Sequence, residues 1–227
     1  MPPFQNPLRQ RRASFLQIRS AVSEKNYTFN NKTKEQETYH MATPQNIALI
    51  GYMGVGKSTV GRALSHKLHC GFFDTDDIIV QETGKSIEKI FDKDGEAYFR
   101  KKETEVLKEI LKAPAENGRV IACGGGLPLS KENQKLLKDS CFTVELICSD
   151  EVLAERIEAD DTVRPLLEKI SSHEELLKEI SKMKMTRRFY YESAADIKVE
   201  TDILDMDDVI DSIMLFGEMW QNRRDRM

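Results

Sequence analysis

Between Ile47 and Trp220, short apolar runs alternate with longer stretches in which apolar residues recur every third or fourth position. A short continuous apolar run has the length of a buried strand, whereas the longer period marks the inward face of a helix. The runs predict strands at Ile47–Gly51, Gly71–Phe73, Arg119–Cys123, Cys141–Ile147 and Asp196–Glu200. The helical period places Val60, Ala63, Leu64 and Leu68 on one face of Lys57–Leu68, and Phe99, Val106, Leu107 and Ile110 on one face of Glu96–Leu111. Ile78-Ile79-Val80 opens another helix, and Ser149 and Ser172 stand as N-caps before Val152–Ile157 and Glu174–Phe189. Strand and helix in alternation predict an α/β fold, a five-stranded parallel sheet with helices on both faces. Ligands of such sheets gather at the carboxyl ends of the strands, so the residues that follow each strand are the ones to read for chemistry. Asp160 to Ser171 has no period of its own and forms a loop able to close over such a site.

Composition changes this picture mainly at the ends. Met1 to Ser23 carries Arg9, Arg11, Arg12 and Arg19 and no acidic residue, and the polar character continues to residue 40. Residues 1–40 therefore read as a disordered extension, 41–220 as one domain and 221–227 as a basic tail. An Arg- and Ser-bearing, acid-poor start is also the composition of an organelle transit peptide, and Met41 is a third possibility, as the true start. The default location is cytoplasmic, with an organelle as the alternative if the extension is a transit peptide. The 34 Lys and Arg against 38 Asp and Glu leave a formal charge of −4, which gives the chain no electrostatic reason to bind nucleic acid. No apolar run approaches a membrane span. Cys70, Cys123, Cys141 and Cys148 lack zinc-ligand spacing and read as buried, reduced thiols. A monomer is the default for one domain of this size.

The first strand runs into Gly51-Tyr52-Met53-Gly54-Val55-Gly56-Lys57-Ser58, which fits the phosphate-loop spacing G-x-x-x-x-G-K-[ST] at every fixed position. Glycines there let backbone N–H groups turn toward phosphate, the lysine brings a mobile positive charge and the serine offers a hydroxyl to Mg²⁺. Gly51, Gly54, Val55, Gly56, Lys57, Ser58 and Thr59 are thus the candidate nucleotide cradle. The second strand ends at Asp74-Thr75-Asp76-Asp77. A strand-end carboxylate pair can hold Mg²⁺ through water and receive a hydroxyl proton, tasks that suit Asp74 and Asp76, whereas Asp77 reads as a helix-start acid. The third strand ends at Gly124-Gly125-Gly126, where backbone must come close to something. Arg164, before Pro165 in the aperiodic loop, suits a lid that reaches for phosphate. Arg100, Arg156, Arg187 and Arg188 taken singly are as well explained by solvated or paired arginines.

The phosphate loop, Asp74-Thr75-Asp76, Gly84-Lys85-Ser86-Ile87, Ile90-Phe91, Gly95-Glu96, Phe99-Arg100, Glu103, Gly124-Gly125-Gly126 and Arg164-Pro165-Leu166-Leu167 occur in the order and spacing of the shikimate kinase family. The chain resembles that family from about Gln45 to about Trp220. The resemblance implies a P-loop fold of the nucleoside-monophosphate-kinase type, with a mobile lid and a helical substrate-binding portion. It implies transfer of the γ-phosphoryl group of ATP to the 3-hydroxyl of shikimate, with one Mg²⁺. Under it, Ser58 and, through water, Asp74 hold the metal, and Lys57 meets the β- and γ-phosphates. Asp76 binds the shikimate hydroxyls and takes the proton, and Arg100 and Arg187 clamp the carboxylate. The backbone of Gly124, Gly125 and Gly126 approaches the ring, Arg164 meets the transferring phosphoryl group and Arg156 lies against adenine.

The chain departs from the family at two places. Cys123 stands where many members have Thr, and Arg187-Arg188-Phe189-Tyr190-Tyr191 replaces Arg-x-Pro-x-Tyr. Without the proline a helix break is lost, which leaves either Arg187 or Arg188 to face the carboxylate. A kinase for another polyol acid, such as gluconate, and a nucleotide-binding module without turnover are the competing readings.

Overall fold

The computed structural model describes residues 43–160, 167, 170 and 172–227. The expected 1–40 extension and most of the Asp160–Ser171 loop, Arg164 included, lie outside the described residues. Five strands, β1 (Asn46–Gly51), β2 (Gly71–Asp74), β3 (Arg119–Ala122), β4 (Phe142–Ile147) and β5 (Ile197–Glu200), each fall within one residue of the expected range at either end. They form one sheet in the order β2-β3-β1-β4-β5, parallel at every pairing.

β1 shows why the central strands read as unbroken apolar runs. Its side chains alternate between faces, and helices cover both faces, so after Asn46 no position is left to water. Ile47 and Leu49 enter one core layer, with Val60, Leu64, Leu153, Ile180 and Ile213. Ala48 and Ile50 enter the other, with Ile79, Phe99, Leu107, Ile110 and Leu137. The first layer is built by α1 (Lys57–Leu68), α6 (Asp150–Glu158), α7 (His173–Ala194) and α8 (Met206–Arg224). The second is built by α2 (Thr75–Thr83), α3 (Ile87–Lys93), α4 (Glu96–Lys112) and α5 (Lys131–Ser140), with the end of α7. Among the described residues no helix is long and apolar enough to cross a membrane.

Three expectations need correction. The basic tail expected at 221–227 is largely helical: α8 continues to Arg224, whose guanidinium covers the Trp220 ring and donates to the Asp139 carbonyl. Of the four cysteines, all free, Cys70 and Cys148 are only half-buried, because β2 is an edge strand and Cys148 follows the end of β4. α7 does not end near Phe189 but runs unbroken to Ala194, as a helix without proline can.

Arg119 opens β3 from a buried position, 4% exposed. Its guanidinium donates to the Ile110 carbonyl and, at 2.6 Å, to the Ala113 carbonyl. It thereby satisfies the C-terminal end of α4, where carbonyls lack helical partners and a cation opposes the dipole. Replacing it as Arg119→Met would take this partner from the buried Ile110 carbonyl and leave the Ala113 carbonyl to water. The expected loss is about 2–3 kcal/mol, read as a lower urea midpoint at unchanged m-value.

Candidate active site

At the carboxyl end of β1 the chain turns under α1. Gly54 at φ 79° and Gly56 at φ 102° adopt left-handed backbone that a β-carbon disfavours. α2, α3, α5, α6, α7 and α8 each begin on a Ser or Asp whose side chain accepts a backbone N–H. α1 begins on Gly56 with no side-chain cap and no acid in its first turn. Its leading N–H groups and the positive end of its dipole are therefore left for an external anion. Lys57 sits over the same turn, with Nζ donating to the carbonyls of Gly51 and Tyr52 at 3.0 Å each. Burial lowers its pKa, and Asp76 and Asp74 oppose that shift. Arg156 braces the loop from the other side, donating to the Val55 carbonyl at 3.2 Å and to Thr201 Oγ1 and the Thr201 carbonyl.

Asp74 closes β2 and does two things at once. Oδ1 accepts the Asp76 N–H as the cap of α2, and Oδ2 accepts the Ser58 hydroxyl at 2.6 Å. Asp74 thus caps α2 and at the same time stands beside the phosphate loop. Asp77, by contrast, points outward and pairs with Arg62 at 3.1 Å, an exposed ion pair of small consequence. Asp76 turns inward, and its Oδ1 is buried without a hydrogen-bond partner. Burial, reinforced by Asp74 and opposed by Lys57 and Arg100, raises its pKa to about 6. The thiol of Cys123, just after β3, is buried and its pKa is pushed up by that burial.

The three glycines after β3 are where the remaining groups meet. A β-carbon on Gly124 would lie 2.5 Å from Asp76 Oδ1 and 2.6 Å from Glu103 Oε1, so bare backbone is what lets the two carboxylates face it. A β-carbon on Gly126 would fall inside the Arg100 guanidinium. The Gly124 N–H is held by Thr75 Oγ1 at 2.8 Å. The Gly125 carbonyl accepts from Tyr191 Oη at 2.6 Å and Arg187 Nη1 at 3.4 Å. Of the two adjacent arginines it is Arg187 that faces this cluster, buried to 9% exposure, while Arg188 is exposed and paired with Glu192. Arg100 is a paired arginine as well as a site arginine: Glu96 and Glu103 each hold it at 2.8 Å.

The structure thus brings Lys57, Asp76, Arg100, Gly124–Gly126 and Arg187 together, and sets Ser58 and Asp74 beside the loop. Sequence reasoning gave no role to Glu103, Thr75, Tyr191 or Tyr52. Glu103 had a signal, since it follows Arg100 by three residues on a helix and so shares its face. Its 1% exposure and its pKa, raised to about 7 mainly by burial, come from packing against Gly124.

A family model described as shikimate kinase matches residues 53–216. A shikimate kinase of Geobacter sulfurreducens is 36% identical over 182 residues, covering 79% of this chain and 96% of its own length. That of Buchnera aphidicola is 40% identical over 162 residues, covering 71% and 90%. Among solved structures, shikimate kinase from Acinetobacter baumannii in complex with shikimate matches with TM-score 0.67 at 35% identity, over 78% of this chain and 94% of that one. The enzyme from Aquifex aeolicus matches with TM-score 0.64 at 39% identity, over 78% and 98%. With the phosphate loop, the strand-end carboxylates and the glycine-lined arginine pair all in place, the chain belongs to the shikimate kinase family.

Proposed function

We propose that this protein transfers the γ-phosphoryl group of ATP to the 3-hydroxyl of shikimate, giving shikimate 3-phosphate and ADP. The observation that carries the reading is the polarity of the acceptor site. A carboxylate, Asp76, and two arginines, Arg100 and Arg187, meet around one bare stretch of backbone, as a ligand with hydroxyls and a carboxylate requires. Guanidinium groups suit the carboxylate because each can bind it through two parallel N–H donors.

Ser58 and Asp74 fit Mg²⁺. They offer two hard oxygens next to the phosphate loop, and among the described residues no cluster of three or more ligating side chains stands anywhere. Such a sparse set suits an ion that arrives with phosphate and water ligands of its own. When bound there, Mg²⁺ supplies charge neutralisation to the triphosphate. The chain's own residues do the rest. The open end of α1 and Lys57 hold the phosphates, and the Gly124–Gly126 backbone with the two arginines fixes the acceptor ring. Asp76 accepts the proton of the attacking hydroxyl as the new O–P bond forms and the bond from the γ-phosphorus to the bridging oxygen breaks, leaving the charge on ADP. In this reading Arg164 meets the transferring phosphoryl group and Arg156 flanks the base.

The direct check is ADP release measured with Mg²⁺-ATP and either shikimate or gluconate. Turnover is expected with shikimate, and a preference for gluconate, or none with either, defeats the proposal. Asp76→Asn is expected to lower kcat about 10²–10⁴-fold while ATP affinity measured by calorimetry stays within a factor of two. Its kinetic signature in the wild type is an acid limb: kcat/KM for shikimate rises with pH through about 6, where Asp76 deprotonates, then levels off.

The same shift has a stability sign. A carboxyl with a raised folded pKa binds more protons folded than unfolded, so stability falls as pH rises between its ordinary value of 3.8 and about 6. At pH 7.5 the ionised, buried Asp76 is therefore a cost, and Asp76→Asn is expected to be more stable than wild type by about 1–2 kcal/mol despite its lost activity. An unchanged or lower Tm for the variant at that pH contradicts this. Gly126→Ala tests the acceptor site from the other side. Its methyl displaces Arg100, so KM for shikimate should rise at least about tenfold while KM for ATP is unaffected.

A further inference from the structure

Arg100 and Arg187 are held in opposite ways. Arg100 lies between two carboxylates, Glu96 and Glu103, which neutralise much of its charge before any ligand arrives. Arg187 is more deeply buried, yet among the described residues no carboxylate pairs with it. Its hydrogen bond to the Gly125 carbonyl is long, at 3.4 Å. A buried guanidinium with no carboxylate hydrogen-bonded to it needs some other support.

Two tyrosines supply it. Tyr52, the residue that follows Gly51 at the mouth of the phosphate loop, is 3% exposed and presents its ring to the guanidinium carbon of Arg187 at 6.0 Å from the centroid. Its own hydroxyl is buried without a partner, so the ring and not the oxygen meets Arg187. Tyr191, one helical turn beyond Arg187 on α7 and 3% exposed, donates its hydroxyl at 2.6 Å to the same Gly125 carbonyl that Arg187 uses. It pins this face of α7 to the glycine backbone. An aromatic face attracts a cation while leaving all its N–H donors free, which a carboxylate would not.

Building on the shikimate reading above, we infer that Tyr52 and Tyr191 are positioning residues: they fix Arg187 in the site with its charge unneutralised, and so set the affinity for the substrate carboxylate. Tyr52 acts through its ring and Tyr191 through its hydroxyl. Tyr52 also links the two halves of the site, because its backbone carbonyl accepts Lys57 Nζ at 3.0 Å while its ring carries Arg187.

The test is steady-state kinetics of the full chain with Tyr52→Phe, Tyr52→Leu and Tyr191→Phe, alone and combined with Arg187→Met. Tyr52→Phe should match wild type within about twofold, since it keeps the ring. Tyr52→Leu and Tyr191→Phe should each raise KM for shikimate about fivefold to thirtyfold, with KM for ATP and kcat within about twofold. In the Arg187→Met background neither should add a further increase, because the residue through which they act is gone. Unchanged shikimate KM in both variants overturns the inference, as does a loss of kcat and ATP affinity together with lowered Tm, or full additivity with Arg187→Met. A wild type that releases no ADP with shikimate overturns the shikimate reading and this inference with it, whereas an active wild type with indifferent variants overturns only the inference.

Discussion

The acceptor half of the site depends on bare backbone. Gly124 to Gly126 leave β3, between β2 and β1, and occupy the space in which two carboxylates and two arginines converge. Any side chain at 124 or 126 would stand where Asp76, Glu103 or Arg100 already are. The glycines alone are floppy, and Thr75 on the N–H of Gly124 and Tyr191 on the carbonyl of Gly125 make them a defined surface. Groups from β2, α2, α4 and α7 then find their places relative to that surface, not to one another.

Charge around this surface is arranged to be incomplete. Asp76 and Glu103 are held with raised pKa values because burial outweighs the nearby cations, and Lys57 is shifted the opposite way for the same reason. A site in which every group had found its partner would have nothing to offer a ligand. Here Asp76 Oδ1 and Glu103 Oε1 are buried without hydrogen bonds, which is costly in the free protein and useful only when a substrate arrives.

How much of this could be read from the chain depends on the range of the contacts involved. The central strands were legible because burial on both faces leaves 47–51 of β1 an unbroken apolar run, and the phosphate loop because its fixed residues are close in sequence. α5 and α8 were not delimited beforehand. α5 buries little beyond Asn133 and Leu137, and α8 carries Gly217 in mid-helix, where Pro44 and Phe142 pack against it. The choice between Arg187 and Arg188 could not be made from sequence, since it turns on which face of α7 meets Gly125, a contact spanning 62 positions. Glu103 was visible as a partner for Arg100, but its approach to Asp76 exists only once α4 packs against α2.

The bare start of α1 has a consequence for how this sequence can change. At the capped helices other than α2, whose cap Asp74 also faces Ser58, Ser and Asp could exchange with Thr or Asn at small cost. At Gly56 nothing lies within 4 Å of where a β-carbon would sit, yet φ of 102° strains any other residue there whatever the space. An aspartate that found a way to cap the helix would place a carboxylate where the nucleotide phosphate belongs. It would act as a tethered competitor, at an effective concentration set by its tether and not by dilution. Gly56 is thus held by two constraints at once, its left-handed backbone and the anion for which the start of the helix is left open.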